Sequence, residues 1–429
     1  MLLMRASSQS YKLMNRPIHK TELRKRRSPI SLMLVFLFGL FSGLSGCATL
    51  PRNPVPLDML YDTEVVSVPG VRAWGGIHSP LFQADIITSV RQEGEGEFTD
   101  HVTGKKNYAA LAISGGGSDG AFGAGFLYGW SSKGDRPVFK LVTGISTGAL
   151  IAPFAFLGSE YDEELKEVYT GISTKSIILR QSFFSILTAS ESFTRATPLQ
   201  NLIKEHIDLA LLQRVARAHE QGRRLYIGTT HMDAQRLVVW NMGLIARLAT
   251  PEALELFHKV MLASASIPAA MPPVLIQVEA GGQVYDEMHA DGGTVTQVFF
   301  HAGTVNLNAA GEEAGIVIDD GSYAQLYILR NGQIQPSPLQ IKRNLQDISS
   351  RALDTMIKTA ALNNLFRMYV FSQQEQSETY YAGIPDNYVS NAQEPFDQQE
   401  MIRLFEIGKD LGGSDNPWKL ELPGLEKQF

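Results

Sequence analysis

The chain is poor in the features that would make it a cross-linked or membrane-spanning protein. Its 429 residues include a single cysteine, which excludes an intramolecular disulfide. The uncharged apolar run at residues 30–44 is shorter than the roughly 20 residues that a membrane-spanning helix needs. The chain also lacks low-complexity tracts, and its 44% hydrophobic and 19% charged residues are ordinary for a globular protein.

The amino-terminal segment has the layout of an export signal. A basic cluster, Arg24–Arg27, precedes the apolar run 30–44, which leads into Leu44–Cys47 (LSGC). These four residues resemble a bacterial lipobox. The resemblance implies that residues 1–46 form a lipoprotein signal peptide and that Cys47 is acylated, with palmitate among the acyl groups. It also implies a lipid-anchored protein of the bacterial envelope, and Ala48 favours the outer membrane. The alternative is an apolar helix followed by an incidental cysteine.

Removal of the signal peptide changes the charge of the protein. Residues 1–46 hold eight basic residues and one acid, so their loss lowers the net charge from −6 to −13. Nucleic acid and anionic lipid surfaces should repel so acidic a body. We therefore expect no nucleic-acid partner, and membrane contact through apolar groups or the anchor.

The remaining chain divides into three predicted parts. Residues 47–107, with several prolines near their start, predict a lipid-anchored tether and approach segment. Residues 108–330 predict the core domain. Residues 331–429 predict a helical segment packed back on that core, with a capping box at Asp397 and Glu400.

The core repeats one local pattern. Tyr108–Ile113 is an apolar strand followed by a glycine loop, Ser114–Gly120, and a helical pattern. A second strand, 138–143, leads through the turn Gly144–Gly148 (GISTG) into the apolar helix 149–157. Further strand and helix patterns alternate downstream, which predicts an α/β fold with a mainly parallel central sheet.

Ser146 is the candidate nucleophile. Gly-x-Ser-x-Gly between an apolar strand and an apolar helix makes a sharp turn that exposes the serine hydroxyl. The hydroxyl needs a base, and a buried carboxylate could serve as well as an imidazole. None of the nine histidines has an obvious triad context, but His301 lies close enough to Asp291 in sequence to leave a Ser-Asp-His triad open.

The glycine loop has two functional interpretations. Its N–H groups, at the start of a helix, could stabilise the oxyanion of a tetrahedral intermediate. Alternatively, Gly115, Gly117 and Gly120 could form a dinucleotide fingerprint, which requires an acidic residue about 20 positions later. Thr143–Ser146 occupy that position and offer no acid.

Four blocks, in this order, resemble those of patatin-like phospholipases across residues 108–300. They are the loop 113–120, the GISTG turn, the segment Ala263–Pro273, and Asp291–Gly293 (DGG). The resemblance implies a three-layer α/β/α fold that hydrolyses ester bonds of lipids or phospholipids without metal or cofactor.

The same resemblance assigns roles to individual residues. Ser146 attacks the acyl carbonyl, and Asp291 accepts its proton and later activates water, without a histidine. Gly115, Gly116 and Gly117 form the oxyanion hole. The motif glycines that would permit the turns are Gly115, Gly117, Gly120, Gly144, Gly148, Gly292 and Gly293.

Two features leave alternatives open. Many family members carry a basic residue where this chain has Asp119, and an acid there weakens the case for phosphate recognition. We interpret Asp119 as an outward-pointing residue that favours the helix dipole. Arg223, Arg224 and Arg236 could contact phosphate, although arginines beside strands more often lie at the surface. The rival from another class is a non-catalytic lipid-binding envelope lipoprotein with the same fold.

The lipobox gives a direct prediction. Cells that express the Cys47→Ser chain should incorporate no radioactive palmitate into this protein, because the acylated thiol is gone, whereas the unmodified chain should be labelled. Labelling that persists in Cys47→Ser would contradict the lipid anchor.

Overall fold

The computed structural model describes residues 50–100, 102–177, 179–180, 191–192, 194–315 and 323–420. The predicted signal peptide and Cys47 lie outside the described residues, so the anchor stays a prediction. No helix in the described ranges is long and apolar enough to cross a membrane. Residues from Leu50 onward form one compact unit, to which the following applies.

Twelve strands and twelve α-helices lie in the part of the chain that the structure describes. The strands are β1 (Glu64–Val65), β2 (Arg72–Trp74), β3 (Asn107–Ile113), β4 (Leu141–Ile145), β5 (Leu179–Arg180), β6 (Thr194–Arg195), β7 (Arg224–His231), β8 (Arg236–Asn241), β9 (Val274–Ala280), β10 (Gln283–Asp291), β11 (Tyr323–Arg330) and β12 (Ser377–Gly383). The helices are α1 (Pro80–Arg91), α2 (Gly120–Lys133), α3 (Thr147–Leu157), α4 (Asp162–Gly171), α5 (Thr174–Ile177), α6 (Thr197–His206), α7 (Leu209–Glu220), α8 (Met242–Arg247), α9 (Pro251–Ser264), α10 (Leu307–Glu313), α11 (Leu345–Gln374) and α12 (Gln398–Gly412).

The main sheet has a parallel centre with an antiparallel extension. Its order is β1-β9-β10-β7-β4-β3-β11-β12, and β8 links β2 to β7. The five neighbours from β7 to β12 run parallel, whereas β9, β10 and β8 join antiparallel on the β7 side. The predicted mainly parallel central sheet is thus confirmed, and the hairpin β9–β10 is the part that the sequence analysis did not anticipate.

Helices cover both faces of this sheet. Along β3, Leu111 and Ile113 enter one apolar cluster, while Ala110 and Ala112 enter another. The first cluster includes α2, α3 and α12, and the second includes α1, α10 and α11. Strands buried on both faces have continuous apolar sequences, as Tyr108–Ile113 does. The predicted three-layer α/β/α arrangement is therefore confirmed.

Two segments contribute more to the sheet than we expected. The described part of the predicted tether supplies β1, β2 and α1, and Phe82 of α1 is fully buried. The predicted helical segment after residue 330 supplies the strand β12, whose Ser377 and Thr379 are buried although polar. Their polarity hides the strand from a search for apolar runs.

Two of the three arginines beside the strands are buried, and the third is partly buried. Arg224 is 1% exposed, and its Nε donates to Asp85 Oδ2 of α1 over 2.6 Å. Arg223 donates to the carbonyls of Phe139 and Phe156, and Arg236 to that of Gly75. The surface interpretation is wrong for Arg223 and Arg224, which are buried and donate to acceptors inside the protein.

Glycines let the backbones of α2 and α12 touch. A Cβ added to Gly408 would stand 2.1 Å from the carbonyl oxygen of Phe122, and one added to Gly125 would stand 2.0 Å from that of Phe405. Because α2 begins directly after the glycine loop, this contact fixes the helix that carries the loop.

We expect Gly408→Ala to destabilise the fold by about 1–3 kcal/mol, since the added methyl group overpacks a backbone contact. Urea unfolding followed by circular dichroism measures the change. Gly171→Ala is the matched control, because it adds the same group to the end of α4, where no atom lies within 4 Å. Equal stabilities of the two variants would contradict the close packing of α2 against α12.

Candidate active site

Ser146 occupies a strained turn between β4 and α3. Its φ of 54° and ψ of −125° place a residue with a Cβ in a region that costs free energy. The turn passes close to β3, because a Cβ on Gly148 would stand 2.3 Å from the carbonyl oxygen of Ile113. A Cβ on Gly144 would stand 2.4 Å from the carbonyl of Gly148. Gly144 and Gly148 are therefore required, because a side chain at either position would collide with the neighbouring backbone.

Ser264 holds this turn in place. The N–H of Ser146 donates to Ser264 Oγ over 3.0 Å, and the Ser264 hydroxyl donates to the carbonyl of Gly228 over 2.7 Å. Ser264 is fully buried at the end of α9. It lies inside the segment 263–273 that resembles a family block, but the sequence alone did not indicate this contact.

Asp291 meets Ser146 across the sheet. It is the last residue of β10, and its Oδ2 accepts a hydrogen bond from Ser146 Oγ over 2.6 Å. Its Oδ1 accepts from the N–H of Gly293 over 2.7 Å. Gly292 leaves room for the carbonyl of Gly228, which would lie 2.5 Å from an added Cβ. The two predicted side chains, 145 positions apart, are thus in direct contact.

Burial sets the protonation of Asp291. The side chain is 5% exposed, and burial raises its pKa to about 7, against the opposing effect of the hydrogen bonds from Ser146 and Gly293. A carboxylate with a pKa near neutrality can both accept and return a proton at neutral pH.

His301 lies away from this pair. Its Nε2 is 2.9 Å from Glu375 Oε1, its Nδ1 accepts from the N–H of Gly303, and its ring packs on Phe371. Among the described residues, no histidine donates to or accepts from the side chains of Ser146 and Asp291. The arrangement is that of a serine and a carboxylate without an imidazole between them.

The glycine loop offers fewer donors than the resemblance implied. The N–H of Gly115 donates to the carbonyl of Gln297 over 3.0 Å, so the assignment of Gly115 to the oxyanion hole is corrected. The N–H groups of Gly116 and Gly117 have no acceptor among the described residues, and Gly117 lines the same pocket as Ser146. Gly120 follows as the first residue of α2.

Two buried side chains that the sequence did not point to shape this loop. Asn331 donates from its N–H to Ser114 Oγ over 2.9 Å and from Nδ2 to the Ser114 carbonyl over 2.8 Å. Gln297 accepts from Gly115 and donates from Nε2 to the carbonyl of Gly293 over 2.7 Å. Gln297 thereby joins the glycine loop to the turn after Asp291.

Asp119 does not point outward as we expected. The side chain is half-buried, and burial raises its pKa to about 6, while the Arg330 guanidinium acts in the opposite direction. Arg330 is 6% exposed at the end of β11, with Nη1 3.5 Å from Ser114 Oγ. The cation beside the glycine loop comes from β11 rather than from the loop itself.

An apolar pocket opens beside Ser146. His206 is its most polar side chain away from the turn, and its Nδ1 lies 2.9 Å from Glu164 Oε1. The remaining walls come mainly from α3, α6, α9 and the loops beside them, through Leu150, Phe154, Ile172, Leu199, Ile203, Met261, Met271 and Phe396. Such walls suit a hydrocarbon chain rather than a polar substrate.

A second polar cluster lies in the same sheet. One group of side chains among the described residues has the spacing of metal ligands. It consists of His231, Glu287 and His289, whose ligand atoms lie within 4.8 Å of one another. However, Glu287 already accepts from Arg72 at both oxygens and from Thr63 over 2.8 Å. Both ring nitrogens of His289 also have protein partners, since Nδ1 lies 2.9 Å from Thr229 Oγ1 and Nε2 lies 3.2 Å from Glu287 Oε2. We interpret the cluster as a satisfied buried network, since a metal would compete with the guanidinium.

This geometry defines a buried serine–carboxylate site in an α/β sheet. Residues 111–302 match the sequence model of the patatin-like phospholipase family, so the chain carries a patatin-like phospholipase domain.

Two solved structures of other proteins are similar to this chain at low sequence identity. VipD from Legionella pneumophila has 12% sequence identity and a TM-score of 0.33, over 73% of this chain and 68% of VipD. The type III effector protein ExoU has 11% identity and a TM-score of 0.20, over 72% of this chain and 54% of ExoU. No curated protein matches the sequence.

The raised pKa of Asp291 predicts a pH-dependent stability. The pKa of Asp291 in the folded chain, about 7, exceeds its ordinary value of 3.8. The contribution of its neutral carboxyl group to the free energy of unfolding is therefore fully present below pH 3.8 and is lost as the pH rises through 7. Asp291→Asn stays neutral, so its unfolding free energy relative to the unmodified chain should increase from pH 4 to pH 8. The expected gain is a few kcal/mol, at about 1.4 kcal/mol per pKa unit.

Urea unfolding at both pH values measures this gain. Asp415→Asn, at an exposed aspartate, is the control and should show no such change between the two pH values. An Asp291→Asn chain whose advantage does not grow with pH would argue against a buried, neutral Asp291.

Proposed function

We propose that this protein hydrolyses carboxylic ester bonds of lipids, with Ser146 as nucleophile and Asp291 as proton acceptor. Membership of the domain in the patatin-like phospholipase family supports a lipid hydrolase. The observation that carries the proposal is the 2.6 Å hydrogen bond from Ser146 Oγ to a buried Asp291 at the mouth of an apolar pocket.

The reaction begins when Ser146 Oγ attacks the acyl carbonyl and transfers its proton to Asp291 Oδ2. Negative charge then develops on the carbonyl oxygen, where the free N–H groups of Gly116 and Gly117 stabilise it together with the amino-terminal end of α2. When the tetrahedral intermediate collapses, the proton on Asp291 passes to the leaving alcohol. Ser146 then holds the acyl group as an ester.

Water completes the cycle. Ionised Asp291 accepts a proton from a water molecule, which attacks the carbonyl of the acyl-enzyme. As this second tetrahedral intermediate collapses, the proton passes from Asp291 to Ser146 Oγ and the fatty acid is released. The hydrogen bond from Gly293 keeps the carboxylate oriented through both half-reactions. A pKa of about 7 favours both directions of proton transfer, because neither the acid nor the base form is strongly preferred at neutral pH.

The pocket supports a lipid acyl chain as the acyl group. Its apolar walls begin at Ser146 and extend between α3, α6 and α9, so a chain esterified to Ser146 would enter them directly. Anchoring through Cys47 to the outer membrane of a bacterial cell, which is part of the same proposal, would keep this pocket near its substrates.

Single substitutions separate the proposed dyad from its rivals. Ser146→Ala and Asp291→Ala should each lower kcat/KM for a short-chain nitrophenyl ester by about a thousandfold or more. His301→Ala should retain near-normal turnover, because His301 contacts Glu375 and not Ser146. The matched control is Ser159→Ala, at an exposed serine.

The alternatives predict other patterns. A Ser-Asp-His triad requires His301→Ala to be as inactive as Ser146→Ala. A lipid-binding lipoprotein without catalysis requires the unmodified chain to be inactive. Unchanged turnover in Ser146→Ala would rule out every serine mechanism.

A further inference from the structure

The helix α11 is longer than the strands that it joins. Its 30 residues span about 45 Å at 1.5 Å per residue. The strands on either side, β11 and β12, have eight and seven residues and span at most about 27 Å. The residues of α11 that are buried, Ala361, Leu365, Met368 and Ser372, all lie in its second half. The first half therefore projects beyond the sheet.

The projecting half lies at the edge of the sheet that carries Ser146. Since β11 and β12 are parallel and α11 connects them, α11 begins at the carboxyl ends of these strands. Asn364 fixes the position of the helix along the strand direction, because its Oδ1 accepts a hydrogen bond from the N–H of Gln297 over 2.8 Å. Gln297 itself contacts the glycine loop, so residues 345–363 extend outward from the level of the candidate active site.

The projecting half is amphipathic, but its apolar face points to solvent and its basic side chains point to the domain. Its two basic side chains face the domain, since Arg351 donates to the carbonyl of Ser337 over 2.6 Å and Lys358 to Ser337 Oγ over 2.7 Å. Leu345 and Met356, on the opposite side of the helix, are 83% and 68% exposed. Helices that pack on a domain do the reverse. We call the exposed apolar set, Leu339, Ile341, Leu345, Ile348, Leu353 and Met356, the protruding face.

We propose that the protruding face docks the protein onto a lipid surface. An apolar helix face beside cationic residues is the composition of helices that lie in the headgroup region of a bilayer. Lys342 and Arg343 are both exposed and lie between Ile341 and Leu345 of this face, so these two side chains, rather than Arg351 and Lys358, place positive charge beside it. Lipid phosphates favour this local charge, although the acidic remainder of the protein disfavours it.

The position of the face also favours lipid over another partner. A bilayer that meets Leu345 and Met356 meets them at the sheet edge where the Ser146 pocket lies, so docking presents lipid to that pocket. The docking itself requires neither the proposed nucleophile nor the acyl group on Cys47.

A fluorescent reporter tests the docking in the full-length chain. Because Cys47 is the only cysteine, a Cys47→Ser chain with Met356→Cys accepts one environment-sensitive nitrobenzoxadiazole label at the protruding face. Vesicles of phosphatidylethanolamine and phosphatidylglycerol should raise its emission about threefold, because the label leaves water for the headgroup boundary. The matched control carries the label at Val138→Cys, a site 62% exposed before β4, at the opposite edge of the sheet, and should not respond.

Further substitutions test the face as a whole. In the chain labelled at Met356→Cys, Leu345→Ser with Ile348→Ser should raise the vesicle concentration for half-maximal emission by about tenfold, since less apolar surface is buried. Val102→Ser with Val138→Ser, at exposed valines before β3 and β4, should leave it unchanged. Hydrolysis of a soluble nitrophenyl ester should be the same in both double variants, which separates docking from the proposed chemistry.

Three results would overturn the proposal. The first is no vesicle response at position 356, as expected if residues 1–49 already cover the face. The second is an equal response at position 138, which indicates non-specific adsorption. The third is an emission rise that follows protein concentration without vesicles, which indicates that a second copy of the chain covers the face.

Discussion

The contact between the Ser146 turn and the end of β3 is the constraint on which the site depends. The carbonyl of Ile113 would lie 2.3 Å from a Cβ at Gly148, so the two backbones approach as closely as glycine permits. This approach brings the glycine loop and the Ser146 turn together, so that Gly117 and Ser146 line the same pocket. It also forces Ser146 to a positive φ, which the hydrogen bond from its N–H to Ser264 helps to stabilise. A looser turn would lose the alignment of the Ser146 hydroxyl with Asp291.

Burial of Asp291 is the second requirement, and it opposes stability. A carboxyl group taken from water prefers its neutral form, and only two hydrogen bonds, from Ser146 and Gly293, favour the charged form. The remainder of the fold must offset this effect. Extensive apolar burial on both faces of the sheet and the touching backbones of α2 and α12 supply that stabilisation. Function and stability are thus located in different parts of the same domain.

Sequence reasoning anticipated the turns whose geometry depends on their own glycines and missed most contacts between residues that lie far apart in the chain. The GISTG turn and the DGG block contain the glycines that their geometry needs, and the resemblance of the ordered blocks indicated that Ser146 and Asp291 meet. Their catalytic roles stay a prediction. The hydrogen bond of the Gly115 N–H could not be predicted, because its acceptor, the carbonyl of Gln297, lies far away in sequence. The buried ion pair of Arg224 with Asp85 was missed for the same reason, since these two residues also lie far apart in sequence. The projection of α11 could not be predicted either, because it depends on where β11 and β12 end.

The contrast between the glycine contacts and the pocket walls bears on how such a protein can diverge. At Gly125 and Gly408 any side chain meets a backbone carbonyl, which cannot move without displacing a helix. The pocket walls are Leu, Ile, Met and Phe side chains, and exchanges among these residues alter the cavity while conserving its apolar character. Evolution can therefore vary the size and shape of the cavity without disturbing the Ser146 turn. If the cavity holds an acyl chain, as we propose, descendants of one such fold could specialise on different acyl lengths through a few wall substitutions while the framework stays invariant.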